Sequence, residues 1–190
     1  MKTGLRLLFY RGNGLISRLA VAALLFGSPL TGEAQSAPPS APSTPVTVAP
    51  GVVMRAAIIP AGARAQRVWI YLPSPAKAGP LPVVLIAPAG SRMFHGMALA
   101  KGDQPEHLPW AKAGFAVVAY DLSGQINDSM TEAQFKNAAR QFTDSKFGIA
   151  DAHNALTYAL SAMPQLDARH VIAVGHSSAA TIALQTTTIR

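Results

Sequence analysis

Residues 171–180 of this chain read Val-Ile-Ala-Val-Gly-His-Ser-Ser-Ala-Ala. The β-branched apolar run at the start predicts a strand, and the alanine-, isoleucine- and leucine-containing stretch that follows predicts a helix. A very tight turn between them would bring the residues two before and two after Ser177 together, so both must be small. Gly175 and Ala179 meet that requirement. The stretch therefore predicts a strand, a sharp turn and a helix, with Ser177 at the tip of the turn.

Ser177 is the candidate catalytic nucleophile. A serine hydroxyl is a weak nucleophile, so it must be held out from the backbone where a base can reach it. Because the next helix starts at the serine, its positive N-terminal end directs the amide N–H of Ser178 toward a developing oxyanion. The alternative interpretation of Ser177 is an ordinary serine that caps a helix N-terminus.

The chain before this stretch alternates strands with helices. Strand-like runs at 52–59 and 67–72 flank Pro-Ala-Gly-Ala and predict an antiparallel hairpin at a sheet edge. Three apolar runs without polar alternation predict strands buried on both faces, at 83–86, 115–120 and 171–174. Helices are predicted at 106–113, 131–142 and 145–163. The order predicts an α/β fold, with a parallel sheet and helices on both of its faces.

These elements resemble the first half of an α/β-hydrolase, of the prolyl oligopeptidase and dienelactone hydrolase-like branch. Val83–Gly90 resembles the strand and oxyanion loop of that family, and Phe115–Gly124 its next strand and turn. Asp151–Leu160 resembles the helix before the nucleophile, and Asp167–Ser177 the run into it. The resemblance implies a serine hydrolase that cuts an ester or peptide bond through an acyl-enzyme.

The same resemblance implies a second oxyanion donor in the loop after Ile86, at Ala89 or Gly90. The alternative is that this loop is an ordinary turn, with Gly90 present for its backbone freedom. The chain departs from the family pattern at Ala179, where glycine is usual. It departs again at residues 87–90, which read Ala-Pro-Ala-Gly where many members have His-Gly.

Only 13 residues follow Ser177, and they contain no Asp, Glu or His. A strand, sharp turn and helix with the serine at the tip is called a nucleophile elbow. In folds with a nucleophile elbow, the acid and the histidine of the triad follow the serine in the chain. We therefore expect the fold to be truncated after the nucleophile elbow and the chain to be nearly inactive alone. The alternative is a non-catalytic or truncated protein of the same fold that acts as a binding module.

Other polar residues are weaker candidates for the site. His176 adjoins the nucleophile, but its side chain is expected to point away from Ser177 and to pack beside the elbow. His95 lies in a loop expected near the pocket mouth, where contact with substrate and loop packing are alternatives. Asp121 follows a predicted strand at the sheet's carboxyl edge. It is either a relocated triad acid or a turn carboxylate that binds its own backbone amides. No residue spacing predicts a metal, and no cofactor is predicted.

The N-terminus predicts export from the cytoplasm. Residues 1–36 carry four basic residues, then an eight-residue apolar centre and small residues near Ala34, which is the pattern of a secretory signal peptide. The alternative is an uncleaved anchor. Residues 37–50 are rich in Pro, Ser and Thr and predict an extended linker. Residues 51–190 then form the partial hydrolase domain, secreted or periplasmic.

Composition excludes several other classes of function. Removal of residues 1–36 lowers the formal charge from +7 to +4, and the remaining basic residues are scattered. A nucleic-acid partner is therefore not predicted. The absence of cysteine excludes disulfides and a cysteine nucleophile. The predicted partner is a small ester or peptide substrate, and the oligomeric state is not predicted.

Overall fold

A computed structural model of the chain describes residues 40–62, 64–76, 78–88 and 104–187. Its core is a six-stranded mixed sheet with the strand order β1-β2-β3-β5-β4-β6. The strands are β1 Val46–Ala49, β2 Val52–Ala61, β3 Arg64–Pro73, β4 Leu81–Ala87, β5 Ala116–Tyr120 and β6 Leu166–Gly175. The helices are α1 Gln104–Ala113, α2 Glu132–Asp144, α3 Ile149–Ala162 and α4 Ala179–Thr186.

The sheet has an antiparallel half and a parallel half. β1, β2 and β3 pair antiparallel, and β3 continues antiparallel onto β5. β4 lies between β5 and β6 and pairs parallel with both. The predicted hairpin of β2 and β3 and the predicted parallel strands are confirmed, and the fold is of the α/β class. The hairpin is not at the sheet edge as expected, because β1 lies outside β2.

Helices cover both faces of the sheet. Alternate residues of each central strand point to opposite faces: Val118 of β5 packs in the same cluster as Ala155 and Ile182, from α3 and α4. Val117 lies in the opposite cluster with Ala111 of α1. The continuous apolar runs of β4 and β5 follow from this arrangement, because a strand covered on both faces needs apolar residues at every position.

Two sequence predictions need correction. Val46–Ala49 forms the edge strand β1, although the linker was expected to run to residue 50. The preceding chain is also tied to β2, since the Ser40 hydroxyl accepts a 2.9 Å hydrogen bond from the Ile58 N–H and the Ser43 N–H donates to the Ala56 carbonyl at 2.8 Å. These hydrogen bonds give Ala56 and Ile58 of β2 the backbone partners that an open sheet edge would otherwise lack.

The last strand is longer and less buried than predicted. β6 begins at Leu166 and not at residue 171, because a register irregularity between Pro82 and Val83 lets residues 166 and 167 pair with the start of β4. Its apolar run was expected to be buried on both faces, yet Ile172 is 45% exposed. Among the described residues β6 pairs with β4 alone, so its outer edge has no neighbouring strand. No helix in the described part of the chain is long and apolar enough to cross a membrane.

Candidate active site

The turn between β6 and α4 has a strained backbone at its centre. Ser177 has a φ of +55°, in the left-handed region that residues with a side chain rarely adopt. α4 begins two residues later, and Ser178 stands at its N-cap position in a right-handed conformation. Such strain persists only where the surrounding structure imposes it, and it is concentrated at functional sites.

The close approach of two backbone segments imposes this strain. A Cβ atom placed on Gly175 would lie 2.2 Å from the carbonyl oxygen of Ala179, so no side chain fits at residue 175. Ala179 is buried, with 1% of its surface exposed, and a larger side chain would have to displace the core beneath it. The two small residues chosen from the sequence are thus the two that touch, and the Ser177 side chain lies on the exposed tip.

The strand beside the turn leads toward the predicted oxyanion loop. Ala87, the last residue of β4, is the register partner of Gly175, so β4 leaves the sheet next to the turn. Ala89, Gly90 and His95 follow, but they lie outside the described residues. Their roles in the site stay predictions.

Ser178 stands at the N-cap of α4, and its role as an oxyanion donor stays a prediction. Its backbone lies at the N-terminal end of α4, where the helix dipole favours negative charge. The capping alternative concerned Ser177, whereas the N-cap position of α4 belongs to Ser178, whose side chain makes no capping hydrogen bond to the helix.

His176 contacts α1. Its Nδ1 atom lies 3.4 Å from Oε1 of Glu106, in the first turn of that helix, and 74% of the His176 side chain is exposed. The His176 side chain therefore contacts a neighbouring helix, and the packing role beside the turn stays a prediction. Glu106 was missed, because nothing in the local pattern of α1 indicates a partner 70 residues further along the chain.

Asp121 is an ion-pair partner and not a carboxylate bound to its own turn. Its Oδ2 atom accepts a 2.6 Å hydrogen bond from Nε of Arg67, whose guanidinium lies 5.3 Å from the ring centre of Trp69. The Asp121 N–H donates to the Arg67 carbonyl at 2.9 Å. The turn interpretation is therefore wrong. A triad acid would bind a histidine, and among the described residues the Asp121 carboxylate is held by an arginine.

A second buried carboxylate was missed by the sequence reasoning. Asp151 in α3 is 2% exposed and pairs with Arg64 at the start of β3. The Ser123 N–H and hydroxyl donate to the two Asp151 carboxylate oxygens at 2.7 and 2.8 Å. The Gln66 side-chain amide donates to the backbone carbonyls of Asp121 and Asp151, each at 2.9 Å. This network ties α3 to β3 and to the end of β5.

The described histidines do not supply a base for Ser177. His107 is buried against Tyr71, with ring centres 5.0 Å apart, and burial lowers the pKa of His107 to about 4. His170 bonds to Asp167 at 2.8 Å, and this contact, with those from Arg169, holds the pKa of Asp167 well below its usual range. Within the described residues no histidine is hydrogen-bonded to the Ser177 hydroxyl, and no three His, Asp or Glu residues are grouped to hold a metal ion.

The sequence matches no protein-family model and none of the curated proteins compared with it. Solved structures do match the fold. A cold-adapted esterase from an Arctic intertidal metagenomic library has 16% identity and a TM-score of 0.56, over 78% of this chain and 60% of that one. A dienelactone hydrolase-like promiscuous phosphotriesterase from metagenomic libraries has 20% identity and a TM-score of 0.52, over 72% of this chain and 54% of that one.

An acylaminoacyl peptidase matches at 18% identity and a TM-score of 0.52, over 70% of this chain and 21% of that one. The chain spans about half the length of the first two hydrolases and less of the peptidase. At these identities the likeness concerns the fold alone, and this fold is that of the α/β-hydrolases.

Proposed function

We propose that this chain, which has the α/β-hydrolase fold, carries the nucleophile half of a secreted serine hydrolase that cuts an ester or peptide bond. The observation that carries the proposal is the positive φ of Ser177 on a β6–α4 turn too tight for a side chain at Gly175. A serine with no chemical role could occupy a relaxed turn, and backbone strain of this kind is concentrated at functional sites.

The proposed reaction begins at Ser177. Its Oγ attacks the substrate carbonyl carbon while a histidine takes the hydroxyl proton, and the carbonyl oxygen becomes an oxyanion that accepts a hydrogen bond from the Ser178 N–H. Collapse of this intermediate expels the alcohol or amine, which takes the proton back from the histidine. Water then attacks the acyl-enzyme by the same route and releases the acid.

The histidine and the acid would lie on polypeptide that follows Ser177 in the complete protein. Two observations support this part of the proposal. The residues after Ser177 include neither type, and the outer edge of β6 has no neighbour among the described residues. Without the base, the rate should fall by several powers of ten, and only oxyanion stabilisation and binding would remain.

Export of the protein rests on residues 1–36, which have the basic, apolar and small-residue regions of a signal peptide. The alternative to the enzyme is a non-catalytic binding module of the same fold. It is favoured by the lack of a histidine at the Ser177 hydroxyl among the described residues.

Labelling by a fluorophosphonate probe tests the proposal. The samples are the 190-residue chain and the longer product of its reading frame, each with Ser177→Ala and with Ser178→Ala as the neighbouring-serine control. We expect the longer product to be labelled, the label to disappear with Ser177→Ala and to persist with Ser178→Ala, and the 190-residue chain to stay unlabelled. Labelling that survives Ser177→Ala would contradict the nucleophile, and a folded, unlabelled longer product would favour the binding module.

A further inference from the structure

A cavity of about 350 Å³ opens beside the turn that joins β2 to β3. Its wall includes Arg64 of β3, Ser123 after β5, Gln141 and Asp144 of α2, and Asn154 of α3. The volume falls in the range of small-molecule sites, about 300–1,000 Å³. Because Ser123 follows the last residue of β5, the cavity lies at the carboxyl end of the parallel strands, where α/β sheets bind their ligands.

The floor of the cavity is electrically neutral. The Arg64 guanidinium pairs with the buried Asp151 carboxylate, which also accepts the two hydrogen bonds from Ser123. A guanidinium has five N–H groups. The hydrogen bonds described for Arg64 go to Asp151 and to the Ala65 carbonyl, so further donors remain toward the cavity. The floor therefore offers hydrogen-bond donors with little net charge.

The rim offers both donors and acceptors. The side-chain amides of Gln141 and Asn154 and the carboxylate of Asp144 make no hydrogen bond to any other residue in the described part of the chain. Each amide supplies a carbonyl acceptor and an N–H₂ donor, and the carboxylate supplies acceptors alone. An anionic ligand would be repelled by Asp144, while the paired Arg64 offers it little compensation.

The backbone next to the rim is strained. Lys146 and Phe147 have φ values of +53° and +58°, and both follow directly after Asp144 and Ser145 on the cavity wall. The Ser145 hydroxyl fixes this turn by accepting a 3.0 Å hydrogen bond from the Gly148 N–H. Strain of this kind persists only where the surrounding structure imposes it.

We propose that this cavity binds a small, neutral, polyhydroxylated molecule, such as a monosaccharide or a sugar alcohol. A hydroxyl group is at once a donor and an acceptor, so neighbouring hydroxyls can satisfy the amides, the carboxylate and the Arg64 donors together. The inference depends on the cavity alone and stands whether or not Ser177 is a nucleophile.

Saturation-transfer NMR on the full chain, at micromolar protein, tests the site with D-glucose, D-xylose and sorbitol. We expect saturable binding of at least one of the three. D-glucuronate, which adds a carboxylate to the same ring as glucose, should bind more weakly than glucose. Binding should be the same for Ser177→Ala as for the unaltered chain.

Variants locate the binding. Asn154→Ala and Gln141→Ala each remove hydrogen bonds to the ligand and should weaken binding about three- to tenfold. Asn137→Ala is the matched control, since this exposed amide lies in α2 but not on the cavity wall. Circular dichroism confirms that each variant is folded. The proposal would be overturned if none of the three probes bound saturably, if D-glucosamine alone bound, or if the cavity variants behaved as the control does.

Discussion

Strand β5 and the second half of β6 carry similar apolar runs but have different surroundings. The five residues of β5, Ala-Val-Val-Ala-Tyr, are all buried, since β5 lies between β3 and β4 and under helices on both faces. The run Val-Ile-Ala-Val in β6 is half-exposed, and Leu184 of the adjoining α4 is 71% exposed. The comparison shows that an apolar run predicts a strand, whereas its burial depends on neighbours that other parts of the chain must supply.

The β6 and α4 side is also the side that carries Ser177. Exposed apolar groups that adjoin an open strand edge are an unfavourable surface for a protein in water. The proposal that more polypeptide follows Ser177 accounts for this surface and for the proposed base together, because an added strand would cover β6 and the chain beyond it would carry the histidine and the acid.

The largest effect should come from the buried ion pair on the β5 side. Asp151→Ala leaves the Arg64 guanidinium and two Ser123 donors without a partner, and the free energy of unfolding should fall by about 3 kcal/mol. Urea denaturation measures it. Asp167→Ala is the control, because this carboxylate pairs with Arg169 and His170, whose side chains are mostly exposed. An equal loss in both variants would show that the Asp151 network does not stabilise the fold as described.

The next largest effect should be a difference in stability loss between side-chain truncations in β5 and in β6. Val118 in β5 is fully buried, so Val118→Ala should lower the free energy of unfolding by about 2 kcal/mol through lost contacts and a cavity. Ile172→Ala in β6 removes more atoms but should cost less than about 1 kcal/mol, because its side chain is 45% exposed. Denaturation curves of the two variants provide the comparison. A larger loss at Ile172 would mean that β6 is already covered in solution.

Acidification should lower the free energy of unfolding through His107, which is buried in α1. His107 is neutral when buried, with a pKa of about 4, whereas in the unfolded chain it titrates near 6.5. Between these two pKa values, His107 therefore binds a proton in the unfolded chain but not in the folded chain. The stability that the neutral His107 contributes is fully present above pH 6.5 and is lost as the pH falls toward 4. Between pH 7 and pH 5 the free energy of unfolding should decrease by about 2 kcal/mol.

His107→Phe should flatten this pH dependence, since phenylalanine can pack against Tyr71 without titrating. Asp167 does not interfere, because its lowered pKa places its contribution below pH 4. The same slope in His107→Phe as in the unaltered chain would assign the pH dependence to another group.

The smallest effect on stability should come from replacing an exposed isoleucine of β6 with a polar residue. The same change should reduce self-association. Ile172→Thr should change the free energy of unfolding by less than about 1 kcal/mol, while light scattering should report reduced self-association. Ile58→Thr is the matched control, since Ile58 is 55% exposed on β2 and its N–H and carbonyl are bonded to Ser40. Equal reductions in both variants would show that association does not depend on the open edge of β6.

Local patterns in the sequence were enough to predict the three parallel strands, the hairpin and the tight turn at Ser177. Each depends on residues close together in the chain, such as Gly175 and Ala179. The pairing of Arg64 with Asp151 joins residues 87 positions apart and has no local signal. The contact between Glu106 and His176 was missed for the same reason. The start of β6 at Leu166 was missed because it depends on a register irregularity against β4.

The most direct test of the account is the nucleotide sequence that follows codon 190 in the gene. The account predicts an open reading frame that encodes an apolar strand, then an aspartate or glutamate, and then a histidine, in the order that this fold uses. A stop codon at that point would contradict the proposed catalytic half. That result would favour the non-catalytic binding module of the same fold.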